Sequence, residues 1–156
     1  MKHSLKIVEN DCTGISFHGE KFQMEVEAEN YTVAVMGAGT MGRGITQVAA
    51  SAGHPVMLYD VAEKHTQAAI EFIGQRLEVS FQKGKITENS KVQVLKNIKP
   101  VHALDELFKA DLIVEAVIED LEIKQELFCG LESVLEAESI LSTNTSSLDL
   151  NKLSLT

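Results

Sequence analysis

The sequence predicts an α/β fold, doubly wound around an open and mostly parallel sheet, and three observations predict it. From residue 32 onward, short apolar runs suited to buried strands alternate with segments of helical periodicity. Between the first such run and the first helix lie Gly37, Gly39 and Gly42, at G-x-G-x-x-G spacing. The second run ends on an acid, Asp60, 18 positions after Gly42.

Each element of that unit has a local reason. Val33, Ala34, Val35 and Met36 are apolar on both faces, as a strand inside a parallel sheet must be. Gly37 permits the tight turn, Gly39 lets a pyrophosphate approach the backbone, and Gly42 lets the helix lie close to the strand. A helix starting near Thr40 aims its free N–H groups and positive dipole end at the phosphates. Gly53 closes that helix, and Val56 to Tyr59 make the second strand. Strand, turn, helix, cap, strand and terminal acid in this order form a Rossmann-like dinucleotide-binding unit. Asp60 stands where a carboxylate accepts hydrogen bonds from an adenosine ribose. It also selects NAD over NADP, since it would repel a 2′-phosphate and Val61 and Ala62, not a base, come next.

Bulk properties narrow the function classes. A chain of 156 residues with 44% hydrophobic residues can bury one good core. A net charge of −9 argues against nucleic acid or an anionic membrane as partner. It leaves a phosphate-bearing cofactor open, because local N–H groups can hold phosphate on an acidic protein. Cys12 and Cys129 have no metal-ligand spacing, and Cys129, beside Phe128 on a helix, reads as a buried thiol. No signal peptide or membrane-length apolar run is read in the sequence, so cytoplasmic localisation is the expectation.

Residues 1–30 read as a separate extension. Phe22, Met24, Val26 and Ala28 alternate with polar residues, the period of a half-buried strand, and His18-Gly19-Glu20 suits a hairpin turn. Either an edge arm, through which the chain would self-associate, or a vestigial leader accounts for it. Residues 31–156 form the nucleotide-binding domain. After Asp60 a long helical excursion is predicted, Glu63 to Lys83, of about five turns. Its apolar stripe is Ala69, Phe72, Ile73, Leu77 and Phe81, and Gly84 is its cap. Lys83 at its end either complements the dipole or meets a substrate phosphate. Thr87 to Ser90 are a loop or a helix start, and a helix from Lys91 to Asn97, an edge strand from Ile98 to His102 broken by Pro100, and a helix from Leu104 to Ala110 follow. Leu112 to Val117 is an apolar strand carrying one acid, Glu115, and Asp120 caps the next helix. Leu127, Phe128, Leu131, Val134 and Leu135 form its stripe, and Ser139 to Ser142 are the last strand.

Ligands of such sheets bind outside the carboxyl ends of the strands. That locates the glycine turn, Asp60, Glu119, Asn144, Ser146 and Ser147 at one rim. The hydroxyls and amide there could orient a substrate oxygen, or Ser146 or Ser147 could simply cap a helix at Leu148. None of the five histidines has a carboxylate partner in sequence context, so no general base is legible. No metal-ligand constellation is present in the pattern.

Three blocks, GAGTMGRGITQVAASAGHPVMLYD, LIVEAVIEDLEIKQELF and ILSTNTSSL, closely resemble the N-terminal domain of L-3-hydroxyacyl-CoA dehydrogenases, in register over about residues 31–153. The resemblance implies NAD-linked interconversion of (S)-3-hydroxyacyl-CoA and 3-oxoacyl-CoA in fatty-acid or related catabolism. By motif, Gly37, Ala38, Gly39, Thr40, Met41 and Gly42 would hold the pyrophosphate and Asp60 the adenosine ribose. Glu119 and Lys124 would line the nicotinamide and its ribose, and Ser146 would bind the substrate's 3-oxygen, with Asn144 supporting its loop. Lys83 would lie near the CoA phosphates. In the family, the basic histidine, its glutamate partner and an all-helical dimerising domain follow the NTSS block. This sequence stops at Thr156, and residues 1–30 match nothing in the stand-alone enzymes. The expectation is therefore a nucleotide domain inactive by itself, homo-oligomeric as the full enzyme. The rival readings are a dinucleotide-binding or interaction module without catalysis and a dehydrogenase of free hydroxyacids.

Overall fold

The computed structural model describes residues 16–17, 20–21 and 31–153. β1 (Ser16–Phe17) and β2 (Glu20–Lys21) pair antiparallel, Ser16 with Lys21 and Phe17 with Glu20, on either side of His18-Gly19. The strand predicted through Phe22 to Ala28, and the self-association assigned to it, lie outside the described residues.

The main sheet has five strands: β3 (Val33–Met36), β4 (Val56–Tyr59), β5 (Ile98–Val101), β6 (Leu112–Glu115) and β7 (Ile140–Thr143). Their order is β5-β4-β3-β6-β7, every pair parallel. From β3 the chain first builds outward through β4 and β5, then crosses back to β6 on the other side. The reversal opens a crevice at the carboxyl ends of β3 and β6, where such sheets bind ligands.

Helices cover both faces: α1 (Thr40–Ser51), α2 (Glu63–Gln82), α3 (Glu88–Lys96) and α4 (Leu121–Glu132), with a short α5 (Leu150–Leu153) at the end. Alternation along β3 divides the core. Val33 and Val35 pack with Leu58, Ala69, Ile73 and Leu77 on one face. Ala34 and Met36 pack with Val101, Leu107, Ile113 and Leu131 on the other. A strand buried on both faces has no polar position, which is why the sequence shows an unbroken apolar run there.

Several expectations change in detail. On α2, Ala69, Ile73 and Leu77 are buried as predicted, whereas Phe72 and Phe81 carry cations on their rings. The Arg43 guanidinium lies 3.7 Å from the Phe72 centroid and the Lys91 ammonium 5.0 Å from that of Phe81. Such stacking rewards a half-exposed aromatic at the margin of an apolar stripe. Thr87 caps α3, its hydroxyl accepting the Ser90 N–H, so of the two readings of Thr87 to Ser90 the helix start is the one formed. Between β5 and β6 only Leu104–Leu107 is helical, as a 3₁₀ turn closed by the Glu106 carboxylate on the His102 and Ala103 N–H groups. The stripe reaches the core through Leu127, Phe128 and Leu131 on α4 and through Leu135 just past its end, whereas Val134, also past the end, is not part of that cluster. Cys129 is exposed, not buried, because it sits on the outer side of that stripe. Among the described residues, no helix is long and apolar enough to cross a membrane.

Candidate functional site

The glycine turn is built by three different constraints. Gly37 has φ +102°, and a Cβ there would stand 2.6 Å from the Ala116 carbonyl oxygen of the neighbouring strand end. Its N–H donates to the Tyr59 carbonyl at 2.7 Å, locking the turn to β4. At Gly42 a Cβ would stand 1.7 Å from the Gly37 carbonyl oxygen, so helix and turn touch backbone to backbone. Gly39, the residue preceding α1, would project a Cβ into open space. Nothing in the protein forbids a side chain there, so the space above Gly39 is available to a ligand on the helix N-terminus. Ala38 is buried beneath the turn, while Thr40 and Met41 are exposed on the first helical turn.

Asp60, 13% exposed at the end of β4, is tied into the same turn. Its Oδ2 accepts the Ala38 N–H at 2.9 Å, and its Oδ1 accepts the Ala62 N–H at 3.0 Å. His65 Nδ1 lies 2.9 Å from Oδ1. Partial burial works to raise the carboxyl's pKa, and the three donors outweigh it, holding Asp60 below the ordinary aspartate value. His65 therefore has the carboxylate partner the sequence did not show, because the four intervening residues turn back onto the strand end. His102 likewise lies 3.8 Å from Glu63.

The opposite side of the crevice is organised by three charges. Glu115, the acid inside the apolar run, is completely buried on β6. Its two carboxylate oxygens receive Lys124 Nζ at 2.9 and 2.8 Å, along with the Val117 N–H at 2.7 Å and the Thr143 hydroxyl at 2.5 Å. Lys124, 1% exposed on α4, also reaches Glu119 Oε2 at 2.9 Å. Burial disfavours its charged form, yet the two glutamates hold its pKa above the ordinary lysine value. The other Glu119 oxygen gathers the loop after β7. It accepts the Thr145 hydroxyl, the Ser147 hydroxyl at 3.0 Å, and the Ser146 and Ser147 N–H groups at 3.3 and 3.4 Å. Hydrogen bonds from Thr145, then Lys124, lower the Glu119 pKa from 4.5 to about 2.

The loop therefore stays pinned over a wide pH range. A carboxylate whose folded pKa lies below its unfolded one stabilises the fold above the unfolded value and loses that contribution as pH falls toward the folded one. Here the window runs from 4.5 down to about 2. At pH 3.5 the Glu119 carboxyl carbon should still report an ionised group by NMR. In Thr145→Val its midpoint should rise toward 4.5; an unshifted midpoint would mean that this hydroxyl does not hold it.

The structure brings Glu119, Lys124, Thr145, Ser146 and Ser147 together, with Lys124 buried beneath the rim and meeting it only through Glu119. Ser146 is exposed, and among the described residues its hydroxyl makes no hydrogen bond. Asn144 is exposed and joins the loop through its backbone, its N–H donating to the Glu115 carbonyl at 2.8 Å. Neither serine caps a helix at Leu148, since α5 starts at Leu150; the Leu148 N–H instead meets the Thr145 hydroxyl at 3.2 Å. Lys83 stands apart, lining a cavity of about 480 Å³ with Arg76, Lys85, Gln47, Gln75 and Phe72. A larger groove of about 830 Å³, with Ile45, Val48, Ala49, Leu112 and Ile140 in its wall, flanks α1. It is apolar and lacks the converging donors of the rim, so volume does not mark the site. Sequence reasoning missed Glu115, Thr143, Thr145 and His65. A lone acid inside LIVEAV, needing a buried counter-charge, was the available signal for the first.

Fold order, glycine turn and the acid that ends β4 together define a dinucleotide-binding domain. Comparison with known proteins gives it a family. The sequence profile described as "3-hydroxyacyl-CoA dehydrogenase, NAD binding domain" matches residues 32–156, and the chain belongs to that family. It is 43% identical over 122 residues to the 3-hydroxyadipyl-CoA dehydrogenase of Escherichia coli K12, covering 78% of this chain and 26% of that one. A 3-hydroxybutyryl-CoA dehydrogenase of Bradyrhizobium diazoefficiens is 37% identical over 121 residues, covering 78% and 41%. The crystal structure of 3-hydroxybutyryl-CoA dehydrogenase from E. coli K12 superposes with a TM-score of 0.79 at 42% identity, over 81% of this chain and 27% of that one. The (S)-3-hydroxybutyryl-CoA dehydrogenase of Ralstonia eutropha gives 0.77 at 31%, over 81% and 44%. The chain thus spans between about a quarter and somewhat under half the length of these relatives.

Proposed function

We propose that this chain forms the cofactor-binding half of an NAD-dependent dehydrogenase that interconverts (S)-3-hydroxyacyl-CoA and 3-oxoacyl-CoA. The observation that carries the reading is the shared rim. A phosphate-ready glycine turn with Asp60 stands on one side of the crevice, and a serine loop gathered on Glu119 stands on the other. Bound NAD would supply the acceptor for the hydride leaving the substrate's C3. The chain's own residues bind and orient. The turn Gly37 to Gly42 meets the pyrophosphate through its N–H groups from Gly39 onward, Thr40 and Met41 among them, while the Gly37 and Ala38 N–H groups hold the turn on Tyr59 and Asp60, and Asp60 takes the adenosine ribose. Ser146, with its hydroxyl free, donates to the 3-oxygen, and Asn144 continues the strand that carries the loop. Glu119 fixes that loop and takes the nicotinamide ribose, with Lys124 holding Glu119 from below. Lys83, joined by Arg76 and Lys85, offers positive charge to CoA phosphates. The whole protein works in the cytoplasm as a homo-oligomer, on acyl-CoA and not on nucleic acid or membranes.

Titration of the chain with NADH by calorimetry tests the reading. Binding is expected, and Asp60→Ala should weaken it by about tenfold to a hundredfold, the worth of a charge-assisted hydrogen bond. No heat from the parent chain, or an unchanged affinity in Asp60→Ala, would overturn it.

A further inference from the structure

We infer that His65 competes with the adenosine ribose for Asp60 and so sets the affinity for NAD; the inference rests on the reading proposed above. An ionised carboxylate offers about four acceptor sites, two on each oxygen. Asp60 is held below the ordinary aspartate pKa, so it is acceptor-only, and His65 Nδ1, 2.9 Å away, is the donor. On Oδ1 both sites are filled, one by the Ala62 N–H and one by His65. On Oδ2 the Ala38 N–H takes one and leaves one.

A ribose presents two adjacent hydroxyls, and each needs an acceptor once it is taken out of water. Asp60 has one site vacant. The second hydroxyl is served only if a resident donor withdraws. The two backbone donors cannot withdraw without unmaking the turn: Ala38 lies inside the glycine loop and Ala62 immediately precedes α2. His65 can, because its side chain is 54% exposed and rotates into solvent.

The same count excludes a positioning role. With Ala38 and Ala62 N–H groups on opposite oxygens, the carboxylate is already oriented and kept ionised without the imidazole. Its contribution is to occupy the place a ribose hydroxyl needs.

His65→Ala should therefore tighten NADH binding by about 3- to 10-fold, the worth of one partly exposed charge-assisted hydrogen bond. ADP-ribose, which keeps the adenosine ribose, should tighten by the same factor. Nicotinamide mononucleotide, which lacks it, should bind parent and variant alike. In an Asp60→Ala background the substitution at His65 should have no effect, since the contested acceptor is gone. An unchanged affinity in His65→Ala, or a weaker one as a positioning residue would give, overturns the inference, as does a His65 effect that persists without Asp60. A parent chain that does not bind NADH at all would overturn the proposed function and this inference with it. Unchanged affinity in a parent that does bind overturns this inference alone.

Discussion

Lys124→Met should lower the thermal midpoint of unfolding by on the order of 10 °C, with the loss traceable to Glu115 and not to the lysine. The methionine fills most of the stem's volume, so packing changes little. What remains is a completely buried carboxylate without its cation. Breaking a buried pair from one side costs about 3–5 kcal/mol, because the orphaned charge keeps its desolvation penalty. For a chain of this size each kcal/mol moves the midpoint by about 2–4 °C. Glu115→Gln in the same background should recover part of the loss, since the neutral amide's oxygen can still accept the Val117 N–H while its NH2 turns to the Thr143 hydroxyl as donor. The Ser146 loop should loosen in the single variant too, because Glu119 loses its ammonium partner at 2.9 Å. Circular dichroism melts of parent, single and double variants at one pH read the stability effect. A single variant melting within about 2 °C of the parent would show that Glu115 does not depend on this cation.

That expectation could not have been written from the sequence, and the reason is physical. β3 and β4 are legible to the residue because a strand buried on both faces must be apolar at every position, and the turn chemistry of Gly37 and Gly53 marks their limits. α2 is legible as a helix for the same kind of reason. Its facing was misjudged at Phe72 and Phe81, because periodicity cannot distinguish a ring in the core from a ring half-covered by Arg43 or Lys91. Asp60 and the glycine turn are readable since their chemistry is local in sequence. The Glu115–Lys124 pair spans nine residues, from strand to helix, and Glu119 meets its loop 26 to 28 residues away. Nothing in spacing alone joins them. Their places at strand ends pointed to Glu119 and Ser146, and family resemblance added Lys124. It is the buried acid at the end of β6 that explains why a lysine assigned to the rim lies underneath it.

Gly42→Ala should abolish NADH binding and destabilise the fold by at least about 3 kcal/mol, beyond the usual cost of one added methyl group. The methyl would stand 1.7 Å from the Gly37 carbonyl oxygen, and that atom is main chain. It cannot rotate away. Gly37 is itself fixed by its N–H to Tyr59 and by the approach of the Ala116 carbonyl, so relief requires α1 to lift off the turn. A lifted helix no longer points its N–H groups at the space above Gly39. Gly44→Ala supplies the control within the same helix. A Cβ there meets nothing within 4 Å, and the position is exposed. Replacing a glycine inside a helix with alanine stabilises by about 0.5–1 kcal/mol, so this variant should melt slightly above the parent. It should bind NADH with the parent's affinity. Two identical substitutions, two residues apart, are thus expected to move stability in opposite directions, and helix propensity predicts the same sign for both. Only the contact between Gly42 and the Gly37 carbonyl separates them. If both variants melt above the parent and both bind NADH by calorimetry, helix and turn do not touch as described.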